Sequence, residues 1–261
     1  MKSLHIAVLP LLGSVLLLSA CGSPSNEAGQ TATADSGKPD FTGTWERYPE
    51  DWYGEDPDHP PPPGGPFELK EPYAAQYAAL LKKLRAADEA GTPIANASTK
   101  CLPEGMPTIM AAIYPIEIMQ NPRQLVVLAE FLSQTRRVHI GAKMPAADDI
   151  EPTYNGYSAA HWEGDTLVIE TRGVRPDVQF FNVPHSVNMK ITEHMRLTAP
   201  DMLENRIVLD DPEYLKKPYS FTIQYKKNND YQIGEFICEN NQTKVDAEGK
   251  ASLTLQTDKK Q

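Results

Sequence analysis

The chain has 261 residues, a formal net charge of −10 and a pI near 5.1. This acidic balance, without a stripe of lysine or arginine, excludes a nucleic-acid partner, whose phosphate backbone selects basic patches. No phosphate-cradling glycine loop, Gly-x-Ser-x-Gly elbow or His-Glu-x-x-His helix occurs, and the six histidines are scattered, so nothing here calls for a nucleotide, a metal or another cofactor.

In chain order, residues 1–20 come first. Lys2 precedes an apolar run over residues 6–18 that Pro10 and Gly13 interrupt, and Leu18-Ser19-Ala20-Cys21 follows. The run is shorter than the ~20 apolar residues of a spanning helix and has the organisation of an export signal. The small residues before Cys21 resemble the lipobox of bacterial lipoproteins. That resemblance implies cleavage before Cys21, lipid on its sulfur and amino group, and a membrane as partner, since several acyl chains anchor where one does not. An ordinary secretory signal with an incidental cysteine is the alternative. Gly22 stands where an aspartate would signal retention, and similarity to Gram-negative sorting implies the outer membrane, facing the periplasm.

Residues 21–40 carry almost no large apolar side chains and are expected to form a flexible tether. Residues 41–244 suffice for one domain with its own core, and residues 245–261 are expected to be a polar, frayed tail. With Cys21 taken by lipid, an even pair remains in an oxidising compartment, so Cys101 and Cys238 are expected to form a disulfide rather than stay free thiols. The loop of roughly 138 residues that it closes corresponds to about 4 to 5 kcal/mol of chain entropy.

Within the domain, Phe41-Thr42-Gly43-Thr44-Trp45-Glu46 is a β-like start, and the Pro-rich segment 49–66 is extended, with an unbroken proline run at 60–63. Residues 72–90 place Tyr73, Tyr77, Leu80, Leu81, Leu84 and Ala87 at spacings of three and four, which predicts one helix, stopped by Gly91 and Pro93. From Ile113 onward, short β-branched and aromatic runs between turn residues predict strands at 116–120, 125–131, 135–140, 158–162, 166–172, 187–198, 203–210, 219–226 and 231–238. Glu163-Gly164-Asp165 and Asn228-Asn229-Asp230 are expected hairpin turns. The fold class is therefore mainly β. An antiparallel meander closed or half-closed into a barrel manages its edges, and a two-sheet sandwich is the alternative.

Several motifs stand out: Cys101-Leu102-Pro103-Glu104-Gly105-Met106-Pro107, Tyr114-Pro115-Ile116-Glu117-Ile118, Asn155-Gly156-Tyr157-Ser158 and His161-Trp162-Glu163-Gly164-Asp165-Thr166-Leu167-Val168. Glu130 ahead of Arg136-Arg137-Val138, Asp211-Pro212 and the run Glu235-Phe236-Ile237-Cys238-Glu239-Asn240 complete the set. Together they resemble a family of exported bacterial proteins over residues 41–240, a resemblance that implies no particular activity. Ile140-Gly141-Ala142-Lys143 stands where that pattern has an Asp-Gly-Arg turn. The Gly43-Thr44-Trp45 start resembles the Gly-x-Trp opening of lipocalins, which implies a ligand-holding barrel.

Strand alternation identifies charges on an apolar face. Ile191, Glu193, Met195 and Leu197 share one face, Val126, Leu128, Glu130 and Leu132 another, and Arg136, Val138 and Ile140 a third. A buried carboxylate must pair or stay protonated. Glu193 is thus an interior charge, and a Glu130–Arg136 pair across a hairpin is expected, serving either as a structural ion pair or at a site. His161, beside Trp162, is a solvent-facing or rim residue. The connection 173–186 carries Arg175, Asp177, Phe180, Phe181 and His185. There the two phenylalanines either cover an apolar pocket, with Asp177 and His185 as polar anchors, or plug a barrel end.

Three functional classes fit these features. The first is a lipid-anchored barrel binding a small, partly apolar ligand. The second is an isomerase, lyase or hydrolase with Glu193 or Glu130 as general base and Arg136 or His185 stabilising negative charge. The third is an envelope interaction protein that docks through the Pro-rich segment, by way of Trp52, Tyr53 and the proline run.

Overall fold

Alternation of side chains, inward and outward by turns, organises most of the domain. In the computed structural model, Met202–Asp210 buries Leu203, Asn205, Ile207 and Leu209 and turns the residues between them outward, and Tyr219–Lys227 does the same with Tyr219, Phe221, Ile223 and Tyr225. This period of two fits a sheet with one face on a core. The structure describes residues 37–49, 61–111, 113–238, 243–245, 247 and 251–253. Cys21, the signal, most of the tether, and Trp52, Tyr53 and Pro60 lie outside them.

Nine strands close into a barrel in sequence order: β1 (Gly43–Tyr48), β2 (Ile116–Asn121), β3 (Gln124–Ala129), β4 (Gln134–Ile140), β5 (Tyr157–Glu163), β6 (Thr166–Arg172), β7 (Lys190–Ala199), β8 (Met202–Asp210) and β9 (Tyr219–Lys227). β9 pairs back onto β1, Trp45 opposite Lys227, so the sandwich alternative does not hold. Closure satisfies the backbone groups that an open sheet would leave at its edges.

The expected meander is corrected at one seam. β4 and β5 run parallel, with Val138, His139 and Ile140 opposite Ser158, Ala159 and Ala160. A parallel pair needs a crossover, and residues 141–156 supply it.

Two further expectations fail. Residues 231–238 are not a strand, and 228–230 is not a hairpin turn, because β1 already occupies the edge of β9. Across the expected boundary between domain and tail, β10 (Thr243–Val245) and β11 (Ala251–Leu253) form a separate two-stranded ladder.

α1 (Tyr73–Glu89) matches the predicted helix. It ends where Gly91 takes a φ of +67°, with Thr92 N–H donating to Ala87 O and Gly91 N–H to Asp88 O, the hydrogen-bond pair of a glycine-terminated helix. Tyr73, Tyr77, Leu80, Leu84 and Ala87 are half-buried and none is fully buried. No described helix is long and apolar enough to cross a membrane.

Side chains fill the barrel. Trp45, Ile116, Ile118, Leu125, Leu167 and Ile169 are fully buried, as in small barrels whose interior is core. Phe41 closes the end that carries the β5–β6 hairpin, packing 5.6 Å from Trp162 and accepting a 2.8 Å hydrogen bond from Trp45 Nε1 on its carbonyl. At the other end sits a plug built from Met106 and the turn α2 (Thr108–Ala111). Two donors from inside the barrel hold it, Tyr225 Oη on Met110 O and an Arg47 guanidinium N–H on Ala111 O. Burial pushes the Tyr225 phenol well above the ordinary tyrosine value, so it remains a donor at neutral pH.

The Cys101–Cys238 disulfide is present, with Cα atoms 5.7 Å apart and 137 residues of separation. The double replacement Cys101→Ser, Cys238→Ser is expected to cost about 4 kcal/mol. It should appear as a lower urea midpoint with a slope no shallower than that of the wild type, since the uncrosslinked unfolded chain is less compact. An unchanged midpoint would mean that the bridge constrains nothing in the unfolded chain.

Candidate functional site

Glu193 faces the barrel interior, as its alternation requires, and is fully buried. Its partner corrects the expected pair. Arg136, only 1% exposed, reaches across from β4, with Nη1 donating to Glu193 Oε1 at 3.1 Å and Nη2 to Oε2. Arg136 Nη2 also donates to Ser158 Oγ at 3.2 Å and to Thr171 Oγ1 at 3.1 Å, and Asn205 Nδ2 donates to Glu193 Oε1 at 2.8 Å. The network joins β4, β5, β6, β7 and β8. Fork-on-carboxylate geometry of this kind is the strong form of an ion pair.

Glu130 is elsewhere, just past the end of β3 at Ala129, opposite Gln134. Along β3 the inward residues are Leu125, Val127 and Ala129, so Val126, Leu128 and Glu130 belong to the outward face, the reverse of the expected one, and beyond Glu130 the chain turns sharply through Leu132 and Ser133, at φ +58° and +46°. Its carboxylate instead accepts a 2.6 Å hydrogen bond from Tyr231 Oη and a 3.4 Å bond from Gly234 N–H. It thereby ties down the segment 231–238.

His161 is exposed on β5, with Nε2 3.0 Å from Glu163 Oε1. Trp162 is half-buried against Phe41, with Lys38 Nζ 5.9 Å from its ring centroid. Both lie at the Phe41 end, remote from the plug. His185 is buried with Nδ1 2.8 Å from Ser186 O and Nε2 2.6 Å from Val178 O. A carbonyl oxygen therefore lies within hydrogen-bond distance of each ring nitrogen, so the imidazole is turned into the protein and not toward an open site.

The two phenylalanines divide the roles expected of them. Phe180 is buried in the plugged end, 5.0 Å from the Phe221 ring and 6.4 Å from Phe67. The space that remains there is about 20 Å³, room for about one water. Phe181 turns the other way, at φ +53°, and its carbonyl accepts a 2.9 Å hydrogen bond from Tyr77 Oη of α1.

Outside the plug, that arrangement leaves a groove of about 810 Å³. One wall is the Leu80 and Leu84 face of α1, a second is Phe180–Asn182, and the rest is formed by the segments around Ile94, Leu102 and Ile113. Glu104 and Asp177 also line it. Asp177 is held by Arg175 at 2.6 and 2.8 Å, and this hydrogen bonding keeps its carboxyl below the ordinary range. Glu104 has no hydrogen-bond or ion-pair partner among the described residues, and burial raises its carboxyl above the ordinary value. The groove thus pairs an apolar surface with a carboxyl that desolvation biases toward the neutral form.

Among the described residues, no group of three or more His, Cys, Asp or Glu could hold a metal ion. Sequence reasoning missed Asn205 and Glu104. Asn205 was within reach, since it alternates with Leu203, Ile207 and Leu209 just as Glu193 does with its neighbours. Glu104 lies in irregular chain, where no period marks a side chain as buried.

Comparison of the chain with protein-family models and with curated proteins finds no match to either.

Arg136→Met alone is expected to destabilise the protein by about 3 to 5 kcal/mol, because Glu193 is left buried and unpaired, whereas adding Glu193→Leu should restore most of the loss. Denaturant unfolding of both variants reads the difference. For Glu104, a folded pKa raised above the unfolded one means stability that is fully present below the ordinary carboxylate value and lost as pH rises through the folded pKa. Glu104→Gln should flatten that part of the stability–pH curve, and an unaltered slope would show that Glu104 does not cause it.

Proposed function

We propose that this chain is a lipid-anchored protein of the bacterial cell envelope, held at the outer membrane through Cys21, that binds a small, partly apolar molecule in the groove beside its barrel. The observation that carries the binding half is the groove itself. Its volume falls within the few hundred to a thousand Å³ typical of small-molecule sites, and it has the usual make-up of such sites, mostly apolar with a few polar groups. Glu104, without a protein partner, can hydrogen-bond a hydroxyl of the guest while the aliphatic walls take its apolar part. The lipocalin-like opening implied a guest inside the barrel, but the packed interior moves the proposed site outside it.

The envelope half rests on the Leu18-Ser19-Ala20-Cys21 sequence and is supported by the disulfide, a bond that persists in oxidising compartments. General-base chemistry at Glu193 finds no such support. A carboxylate fully buried and engaged by Arg136 and Asn205 is not within reach of a substrate proton.

Native mass spectrometry of a soluble form lacking residues 1–21, purified from the periplasm, is expected to show an added mass that denaturation releases. Leu84→Trp, which fills the groove from its half-exposed α1 face, should lower occupancy by about tenfold or more, the cost of ~1.4 kcal/mol of lost contact. An empty wild-type protein, or equal loading of the variant, would overturn the groove. Separately, Cys21→Ser should move the full-length protein from the membrane fraction to the soluble one. Persistence in the membrane fraction would overturn the anchor.

A further inference from the structure

A second, chemically different cleft opens on the outer wall of the barrel where β4 and β5 run parallel. The two strands pair only over Val138–Ile140 and Ser158–Ala160. Ahead of that stretch they part, and Asn155 Nδ2 bridges to Thr135 O at 3.2 Å where a ladder bond would otherwise lie. The opening has a volume of about 440 Å³. Alternation that turns Gln134, Arg136 and Val138 inward turns Thr135, Arg137 and His139 outward, toward this space. Tyr157 forms the far side, its ring 5.0 Å from that of His139 and nearly parallel to it.

The charge in this cleft runs against that of the molecule. The chain carries 35 acidic residues against 25 lysines and arginines, yet no Asp or Glu lines the cleft. Arg137 is exposed and makes no hydrogen bond or ion pair among the described residues. Its neighbour across β3 is Val126. By contrast Arg136, Arg172, Arg175 and Arg196 are each held by a carboxylate. An uncompensated guanidinium presents a planar fork matched to a carboxylate or phosphate. The hydroxyl-bearing residues Thr135, Thr153 and Tyr157 line the same cleft, suited to a guest that is itself hydroxylated, whereas the Ser133 hydroxyl is taken up by the Phe236 backbone.

We propose that the β4–β5 cleft binds a small hydroxylated organic anion, a sugar carboxylate or sugar phosphate, through Arg137. This site is independent of the apolar groove, from which Pro103 and Tyr154, shared by both linings, divide it.

The test is an amide chemical-shift titration of the isotope-labelled full chain with glucuronate, glucose phosphate, glucose and inorganic phosphate in parallel. Saturable shifts confined to residues 133–139 and 153–158 are expected with glucuronate or glucose phosphate. Whichever of the two binds more tightly names the anion, and both bind more tightly than glucose. Arg137→Gln, a surface change that leaves the core intact, should weaken the anion by about tenfold or more, as loss of a charge-assisted hydrogen bond does. Leu84→Trp in the groove should leave it unchanged. The proposal is overturned if neither sugar anion shifts those amides, if glucose binds equally well, if inorganic phosphate alone binds as tightly as the sugar phosphate, or if Arg137→Gln binds like the wild type.

Discussion

Arg136 and Glu193 meet inside the barrel with both side chains buried, and much of the architecture is arranged around that meeting. An unpaired charge in such a place is costly enough that the chain must bring β4 and β7 to opposite sides of one interior with both side chains inward. Ser158 and Thr171 then complete the guanidinium from β5 and β6, and Asn205 completes the carboxylate from β8. A slip of one residue in any of these strands would send its polar group outward and leave another stranded. The pair therefore does more to select a register than to add stability, since an apolar set of the same shape could pack there. Arg136 Nε and Asn205 Oδ1 remain buried without partners, as expected of a network kept for specificity rather than for free energy.

The parallel seam follows from the same constraint. With β4 committed inward through Gln134, Arg136 and Val138, the crossover of residues 141–156 returns β5 alongside it in the same direction. Only three residue pairs form, and ahead of them the strands lie apart. Divergence exposes the outward face of β4 and opens a polar cleft, while the filled interior leaves no room for a guest. The other end of the chain's long first connection, residues 49–115, supplies the plug and α1. Because the barrel donates Tyr225 Oη and Arg47 to the plug's carbonyls, the plug is fixed, and the space between it and α1 becomes a groove.

Legibility of the fold in the sequence tracked regularity. Eight of the nine strands expected after Ile113 lie close to where alternation put them, as do the opening strand near Trp45 and the helix ended by Gly91. The ninth, residues 231–238, had the texture of a strand but no free edge to join. Its aromatic residues pack instead on the outside, Phe236 5.0 Å from Phe131, with Tyr231 bound to Glu130. The inward carboxylate on β7 was legible for the same reason as the strands. Its partner was not, because β3 carries apolar residues on both faces, Leu125 and Val127 on one and Val126 and Leu128 on the other, and only packing decided that the first pair faces inward, which leaves Glu130 outside.

By itself, then, the sequence determined the local periodicities, the mainly β class, the helix α1 and its stop, the interior position of Glu193, and the pairing of the last two cysteines. Each of these depends on residue spacing, a polar group on an apolar face, or counting. Closure of β9 onto β1, the parallel seam, the Arg136–Glu193 pair, the filled interior and both clefts were decided only by the tertiary structure. They depend on which strands become neighbours across long connections, and that choice is made by burial and charge compensation over the whole core, not by the pattern within any one segment.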